Sequence, residues 1–180
     1  VPLGDVEYHQ VTDILSEIYG AAKADNDTGR AMADKFCKEP KWKAKKIIPF
    51  SSATKWTGVV FDEQGSFLVG APEFIMSARY DEIGEAVESW SSRGYRVLLL
   101  AYYDGVPEPG DLVVGTVTPL ALIPLTNRIR PEAPETFRYF TQQGVSIRVI
   151  SGDNPVTVSE VARQAGISDA DLYVDASTLQ

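Results

Sequence analysis

The chain has 180 residues, a length that admits one large domain or one domain with part of another. With 44% hydrophobic and 23% charged residues it has enough apolar material for a core, which excludes a disordered chain. Its net charge of −8 excludes a chain-wide nucleic-acid groove, which would need a basic excess.

Val11, Ile14, Leu15, Ile18, Tyr19 and Ala22 recur at helical spacing and predict a first helix. A short second helix starts at Asp27 or Thr28, both good caps, and carries Ala31, Met32 and Phe36 inward. Lys35, Lys38, Lys41, Lys43, Lys45 and Lys46, interrupted by Glu39 and Pro40, read as a solvated connector. The pattern then changes to short runs rich in β-branched and aromatic residues: Ile47-Ile48-Pro49-Phe50, residues 56–61 and residues 66–69. Asp62-Glu63-Gln64-Gly65 is a hairpin turn between the last two. Pro72 suits the first turn of a helix through Phe74, Ile75 and Met76, and residues 83–92 form another, ended by Gly94. Residues 96–103 return to strand, their apolar centre pointing to burial on both faces, and residues 112–125 supply more strand.

From there the texture differs. Residues 131–142 read as a helix opened by proline and closed by Gly144, and residues 145–150 as a short apolar strand. Ser151-Gly152-Asp153-Asn154-Pro155 is a turn, residues 156–165 a helix stopped by Gly166, and Leu172-Tyr173-Val174 a further strand. Helix and strand in alternation predict a parallel α/β unit, with a boundary near residues 115–127.

The lone Cys37 rules out an intramolecular disulfide, suits a reducing compartment and is expected as a buried thiol. The longest apolar run, Val97-Leu98-Leu99-Leu100-Ala101, falls far short of the roughly 20 residues of a spanning helix, so the chain is expected not to insert in a membrane. The N-terminus lacks the pattern of a signal peptide, and a start at Val1 rather than Met suggests a piece of something longer. Walker loops, G-x-G-x-x-G, H-E-x-x-H and zinc cysteine pairs are missing, and the single His9 reads as a surface residue. No metal site is expected from the chain itself.

Two stretches could carry chemistry. An apolar run leads into Ser151-Gly152-Asp153-Asn154, where a hydroxyl, a glycine and a helix start can hold a phosphoryl oxygen. Asp153 there could orient a metal-bound water or a ribose; the competing reading is an ordinary capped turn. In Pro49-Phe50-Ser51-Ser52-Ala53-Thr54-Lys55, an exposed ring beside a lysine can stack on a purine and attract its phosphate, unless Phe50 is core. Gly70-Ala71-Pro72-Glu73 follows a strand, where a glycine admits close backbone approach, and Arg96 opens another strand, where it could equally be a surface charge.

Taken in order, these stretches, with Gly94-Tyr95-Arg96-Val97-Leu98 and Asn127-Arg128-Ile129-Arg130-Pro131-Glu132-Ala133, make the chain resemble the cytoplasmic region of P-type cation-transporting ATPases. The resemblance implies an α/β fold in two modules. Residues 1–118 would be a nucleotide-binding domain, a twisted antiparallel sheet with flanking helices. Residues 119–180 would be part of a phosphorylation domain with a haloacid-dehalogenase-like parallel α/β fold. It implies ATP as ligand, with Phe50 stacking on adenine, Lys55 in the same pocket, Gly70 and Ala71 as its wall and Arg96 reaching the phosphates. Ser151, Gly152 and Asp153 match the family's Thr-Gly-Asp, which positions the transferring phosphoryl group. Asn127 and Arg130 match its Asp-x-x-Arg at the hinge between domains.

The departures are specific. Val69 stands where the family has lysine before Gly-Ala-Pro-Glu, Gly29 follows Thr28 where many members are acidic, and Asn127 replaces aspartate. The 180 residues contain no Asp-Lys-Thr-Gly-Thr with its phosphorylated aspartate and no Gly-Asp-Gly-x-Asn-Asp that helps bind Mg2+. The expectation is therefore an ATP-binding cytoplasmic piece of a multi-pass cell-membrane transporter, inactive alone. Its partners would be ATP and the parent's actuator and transmembrane domains, and its ion calcium or another divalent cation. The alternatives are a nucleotide sensor, a degenerate interaction domain, or a free-standing haloacid-dehalogenase-like phosphatase. The last needs Asp-x-Asp after a strand, and Asp169-Ala170-Asp171 follows Gly166-Ile167-Ser168 instead.

Overall fold

A computed structural model describes residues 1–22, 24, 26–110, 113, 115–126 and 129–175. In chain order these form α1 (Tyr8–Ala21), α2 (Asp27–Lys35), β1 (Ala44–Ile48), β2 (Trp56–Phe61), β3 (Gly65–Gly70), α3 (Pro72–Met76), α4 (Asp81–Ser91), β4 (Tyr95–Tyr103), β5 (Val117–Thr126), α5 (Ala133–Gln142) and α6 (Pro155–Gln164). The five strands make one sheet in the order β1-β2-β3-β4-β5, so each strand lies beside its neighbour in sequence. The pairs from β1 to β4 are antiparallel. The chain separates into two compact units, one of residues 1–82 and 98–123 and the other of residues 83–97 and 124–180.

The first unit is built around the β2–β3 hairpin, whose register runs from Trp56 opposite Gly70 to Phe61 opposite Gly65. Gly65 closes the turn at φ +84°, a left-handed conformation that a side chain would strain. Trp56, Val59, Phe61, Leu68, Leu99 and Leu100 are at most 2% exposed, because strands in the middle of a sheet bury both faces. α1 turns Val11, Leu15 and Ile18 inward. The amide oxygen of Gln10 accepts from the Glu7 N–H at 2.8 Å, closing one of the helix's free donors. α2 is capped one residue earlier than expected, by the Asn26 carboxamide accepting from the Gly29 N–H. At the far edge, Leu3 donates to the Leu120 carbonyl and Leu122 to the Val1 carbonyl, both at 2.9 Å, so the first residues line the margin of β5.

The lysine-rich stretch is only partly connector. β1 begins at Ala44, which puts Lys45 and Lys46 in an edge strand, with an irregularity in register between Ala44 and Lys46. Lysines and a bulge on an outer strand blunt it against pairing with other chains. Lys38, Lys43 and Lys46 form ion pairs with Asp13, Asp62 and Glu108. Cys37, expected to be buried, is exposed, since the segment after α2 runs over the surface. Glu17 joins this segment to α1. It is 7% exposed, and one of its carboxylate oxygens accepts from the backbone N–H groups of Lys41 and Trp42, both at 2.8 Å. Trp42 is thereby held with its ring 5.2 Å from Phe61 and 5.8 Å from Phe67.

The second unit holds most of α4, the start of β4, the last residues of β5, and α5 and α6. Asn154 caps α6 by accepting from Val156 and Thr157, and Pro155 takes the first helical position. Glu160 is held at a pKa of about 2 by hydrogen bonds from Arg163 and Gln164. Residues 145–150 and Leu172-Tyr173-Val174, expected as strands, are not strands here. Val145, Val149 and Ile150 are 49%, 51% and 97% exposed, and α5 buries no residue. A strand needs a neighbour for its N–H and C=O groups, and none lies beside these segments among the described residues.

Glu17→Ala would leave two donors without their charged acceptor and is expected to cost roughly 2–3 kcal/mol of stability. Glu17→Gln, whose amide oxygen can still accept, is expected to retain most of it. Urea midpoints at constant slope measure both; an alanine variant as stable as the parent would show that water replaces the carboxylate.

Candidate functional site

In the first unit the candidate loop is shaped by its own backbone. Lys55 donates its N–H to the Ser51 carbonyl at 2.7 Å, and the Ser51 hydroxyl accepts from Ala53 and Thr54 at 3.2 and 3.4 Å. This closes a tight turn that leaves Lys55 at φ +61°, a left-handed conformation costing a residue with a Cβ roughly 1–2 kcal/mol. The Lys55 carbonyl then accepts from the Ala71 N–H at 2.9 Å, tying the loop to the end of β3.

Gly70 permits that approach. A Cβ there would lie 2.5 Å from the Trp56 Cα and would press on the Lys55 carbonyl oxygen. The glycine thus serves the contact between two backbone segments, and Lys55, Gly70 and Ala71 come together because of it. Phe50, two residues beyond the end of β1, is half-buried, as is Lys55, so both keep surface free for a ligand. Val69 is different. It is 2% exposed, opposite Thr57 on one side and Leu100 on the other, in the apolar interior of the sheet.

In the second unit Arg96 and Asp153 meet. A guanidinium nitrogen lies 3.5 Å from a carboxylate oxygen, and the two side chains are 36% and 41% exposed. Asp153 donates its N–H to the Ser151 hydroxyl at 3.1 Å, so the exposed Ser151-Gly152-Asp153 turn is braced from within. Two residues hold this turn in place, one read from the sequence as part of the turn and one not singled out. Asn154 caps the helix behind it, and the Thr157 hydroxyl, in a residue 3% exposed, donates to the Tyr95 carbonyl at 3.2 Å. Asn154 belongs to the turn motif read from the sequence; nothing local pointed to Thr157. Arg130 is exposed and its carbonyl accepts from Ala133. Asn127 lies outside the described residues. His9 is exposed, 3.0 Å from Glu7.

Among the described residues no three of His, Cys, Asp and Glu converge as a metal cluster. The described donors thus do not by themselves make a resident Mg2+ site within this chain. A cavity of about 310 Å³ in the first unit is lined by Val6, Ile14, Phe67, Tyr102 and Leu120 and lies apart from the Phe50–Lys55 loop. No described helix is long and apolar enough to cross a membrane.

Comparison with known proteins agrees with the motif pattern. A family model for haloacid dehalogenase-like hydrolases matches residues 5–178. The calcium-transporting ATPase CtpE of Mycolicibacterium smegmatis is 39% identical over 157 residues, covering 87% of this chain and 20% of the relative. CtpE of Mycobacterium tuberculosis is 40% identical over 157 residues, 87% of this chain and 19% of its own length. The probable cation-transporting ATPase exp7 of Streptococcus pneumoniae is 34% identical over 175 residues, 94% of this chain and 21% of the relative. The chain spans about a fifth of the length of these relatives. A family model running along nearly the whole chain, with cation-transporting ATPases as relatives, places the chain among the haloacid dehalogenase-like hydrolases, as a segment of a P-type ATPase.

Proposed function

We propose that this segment binds ATP for a cation-transporting parent and presents the γ-phosphate to an aspartate outside these 180 residues. The observation that carries the reading is the junction of the Phe50–Lys55 loop with Gly70 and Ala71. One backbone hydrogen bond there ties the loop that carries a half-buried phenylalanine and a lysine to the end of β3. A ring and a cation suit a nucleotide, the first by stacking and the second by charge.

In this reading residues 1–118 hold the nucleotide and residues 119–180 belong to the phosphorylation domain. Phe50 takes the adenine, Lys55, Gly70 and Ala71 bound the pocket, and Arg96 meets the phosphates. Ser151, Gly152 and Asp153 position the phosphoryl group, with Asn127 and Arg130 at the hinge. Mg2+ would neutralise phosphate charge, held mostly by residues outside this chain. Phosphoryl transfer is chiefly positioning and charge neutralisation, so this chain's share of it is orientation. The parent would be a multi-pass membrane protein with this segment on its cytoplasmic side, working with its actuator and transmembrane domains. The names of the CtpE relatives favour calcium as its ion.

The burial of Val69 favours a second reading, a domain that senses nucleotide weakly or serves only as a contact surface. An aliphatic side chain 2% exposed offers nothing to a phosphate.

Three outcomes are expected. Phe50→Ala weakens ATP binding about tenfold, the worth of one stacked base, with the melting temperature unchanged. Calorimetry and thermal melts together check this; unaltered affinity in a folded variant would reject the assignment. Val69→Lys lowers the melting temperature, because an ammonium must leave water for the sheet interior. Neither ATP nor adenosine restores it, since position 69 lies inside the sheet. Recovery with ATP alone would show that the new ammonium reaches the phosphates and would count against the second reading. Finally, the purified chain forms no acyl phosphate from γ-labelled ATP and turns over negligible ATP with any added cation. A hydroxylamine-labile label would overturn this, as would turnover lost in Asp153→Ala.

A further inference from the structure

The cavity of about 310 Å³ in the first unit opens between α1 and the strands β3, β4 and β5. An apolar protein cavity of about 150 Å³ accepts benzene, so this one is roughly large enough for two fused rings. Its floor is aromatic. Phe67 and Tyr102 meet edge to face, with ring centroids 5.6 Å apart at 76°. Val6, Ile14 and Leu120 form aliphatic walls and are only half-buried. Water between such walls finds few hydrogen-bond partners, and an apolar guest gains by displacing it.

The polar atoms of the lining decide the kind of guest. No Asp, Glu, Lys or Arg lines the cavity. An ionic ligand would shed water there with no opposite charge to meet it, which selects a neutral one. Gln10 is oriented, because its amide oxygen accepts from the Glu7 N–H at 2.8 Å and only its NH2 group remains to bond elsewhere. That NH2 group and the hydroxyls of Tyr102 and Thr118, all in the lining, have no hydrogen-bond partner among the described residues. The lining therefore matches an acceptor atom on an otherwise apolar, flat body.

We propose that this cavity binds a neutral bicyclic heteroaromatic molecule, which packs against Phe67 and Tyr102 and accepts a hydrogen bond from the Gln10 NH2 group. The volume sets two fused rings, the aromatic floor favours a ring as guest, and the fixed carboxamide calls for an acceptor. The site lies apart from the Phe50–Lys55 loop, and its assignment does not rest on the function proposed above.

The test uses the 180-residue chain at neutral pH with quinoline, naphthalene and N-methylquinolinium, which share a shape and differ in acceptor and charge. Quinoline is expected to bind with NMR contacts to the Phe67 and Tyr102 rings. Its affinity should exceed that of naphthalene about twofold to tenfold, the worth of one hydrogen bond, and the cation should not bind measurably. Gln10→Glu keeps an oxygen for the Glu7 N–H and removes the donor. It should bring quinoline down to the naphthalene level with the melting temperature kept. Leu120→Trp, which fills the cavity, should abolish binding of both in a folded variant. Equal affinity for quinoline and naphthalene in the parent would overturn the proposal, as would a preference that survives in Gln10→Glu. So would quinoline contacts away from Phe67 and Tyr102, or quinoline binding lost in Phe50→Ala. Adenosine carries a base of this class. If it displaced quinoline from Phe67 and Tyr102, this inference would stand and the base would be removed from Phe50.

Discussion

The candidate nucleotide end of the first unit depends on the absence of one methyl group. At Gly70 the backbones of β3 and of the loop before β2 approach so closely that a Cβ would lie 2.5 Å from the Trp56 Cα. That closeness lets Ala71 donate to the Lys55 carbonyl, and the bond in turn holds Lys55 in a left-handed conformation. The strain at Lys55 is sustained because hydrogen bonds fix the turn on both sides, to Ser51 and to Ala71. The ring of Phe50 and the stem of Lys55 are thus presented by a rigid scaffold, which is the condition for a loop to hold a ligand with precision.

The rest of the first unit is arranged to keep that scaffold closed. The hairpin and its neighbours bury their side chains on both faces, and the two outer strands are treated differently. The margin of β5 is paired by Val1 and Leu3 at Leu120 and Leu122. β1 carries lysines and an irregular register instead, which keep it from recruiting another strand. Glu17 binds the segment before β1 to α1, and so sets where Trp42 meets the aromatic cluster of Phe61 and Phe67. In an acidic chain, one buried carboxylate serves the backbone and not a charge.

The second unit has the reverse economy. Its polar turn is ordered by local bonds, the Ser51-like role being taken by Ser151, while its apolar segments around residues 145–150 and 172–174 stand exposed. Helices α5 and α6 each carry a proline in the first turn, and α6 is also capped by Asn154. Strands have no such local support, because their hydrogen bonds belong to a neighbour.

The sequence alone determined what is local or carried by motif. The hairpin at Asp62-Glu63-Gln64-Gly65, the proline-opened helices and the order of the elements follow from turn chemistry and periodicity, which act over a few residues. Membership in the P-type ATPase group was legible from the five motif blocks, because their residues and order survive without any knowledge of contacts. Tertiary structure decided what depends on distant neighbours. It gave Gly70 its place against Trp56, put Val69 in the interior, exposed Cys37, and joined Thr157 to Tyr95 and Asp153 to Arg96 across more than fifty positions of sequence. It also withheld the strand at residues 145–150, whose apolar pattern finds no neighbouring strand among the described residues. Periodicity records which face of a segment is apolar; only packing decides what, if anything, that face meets.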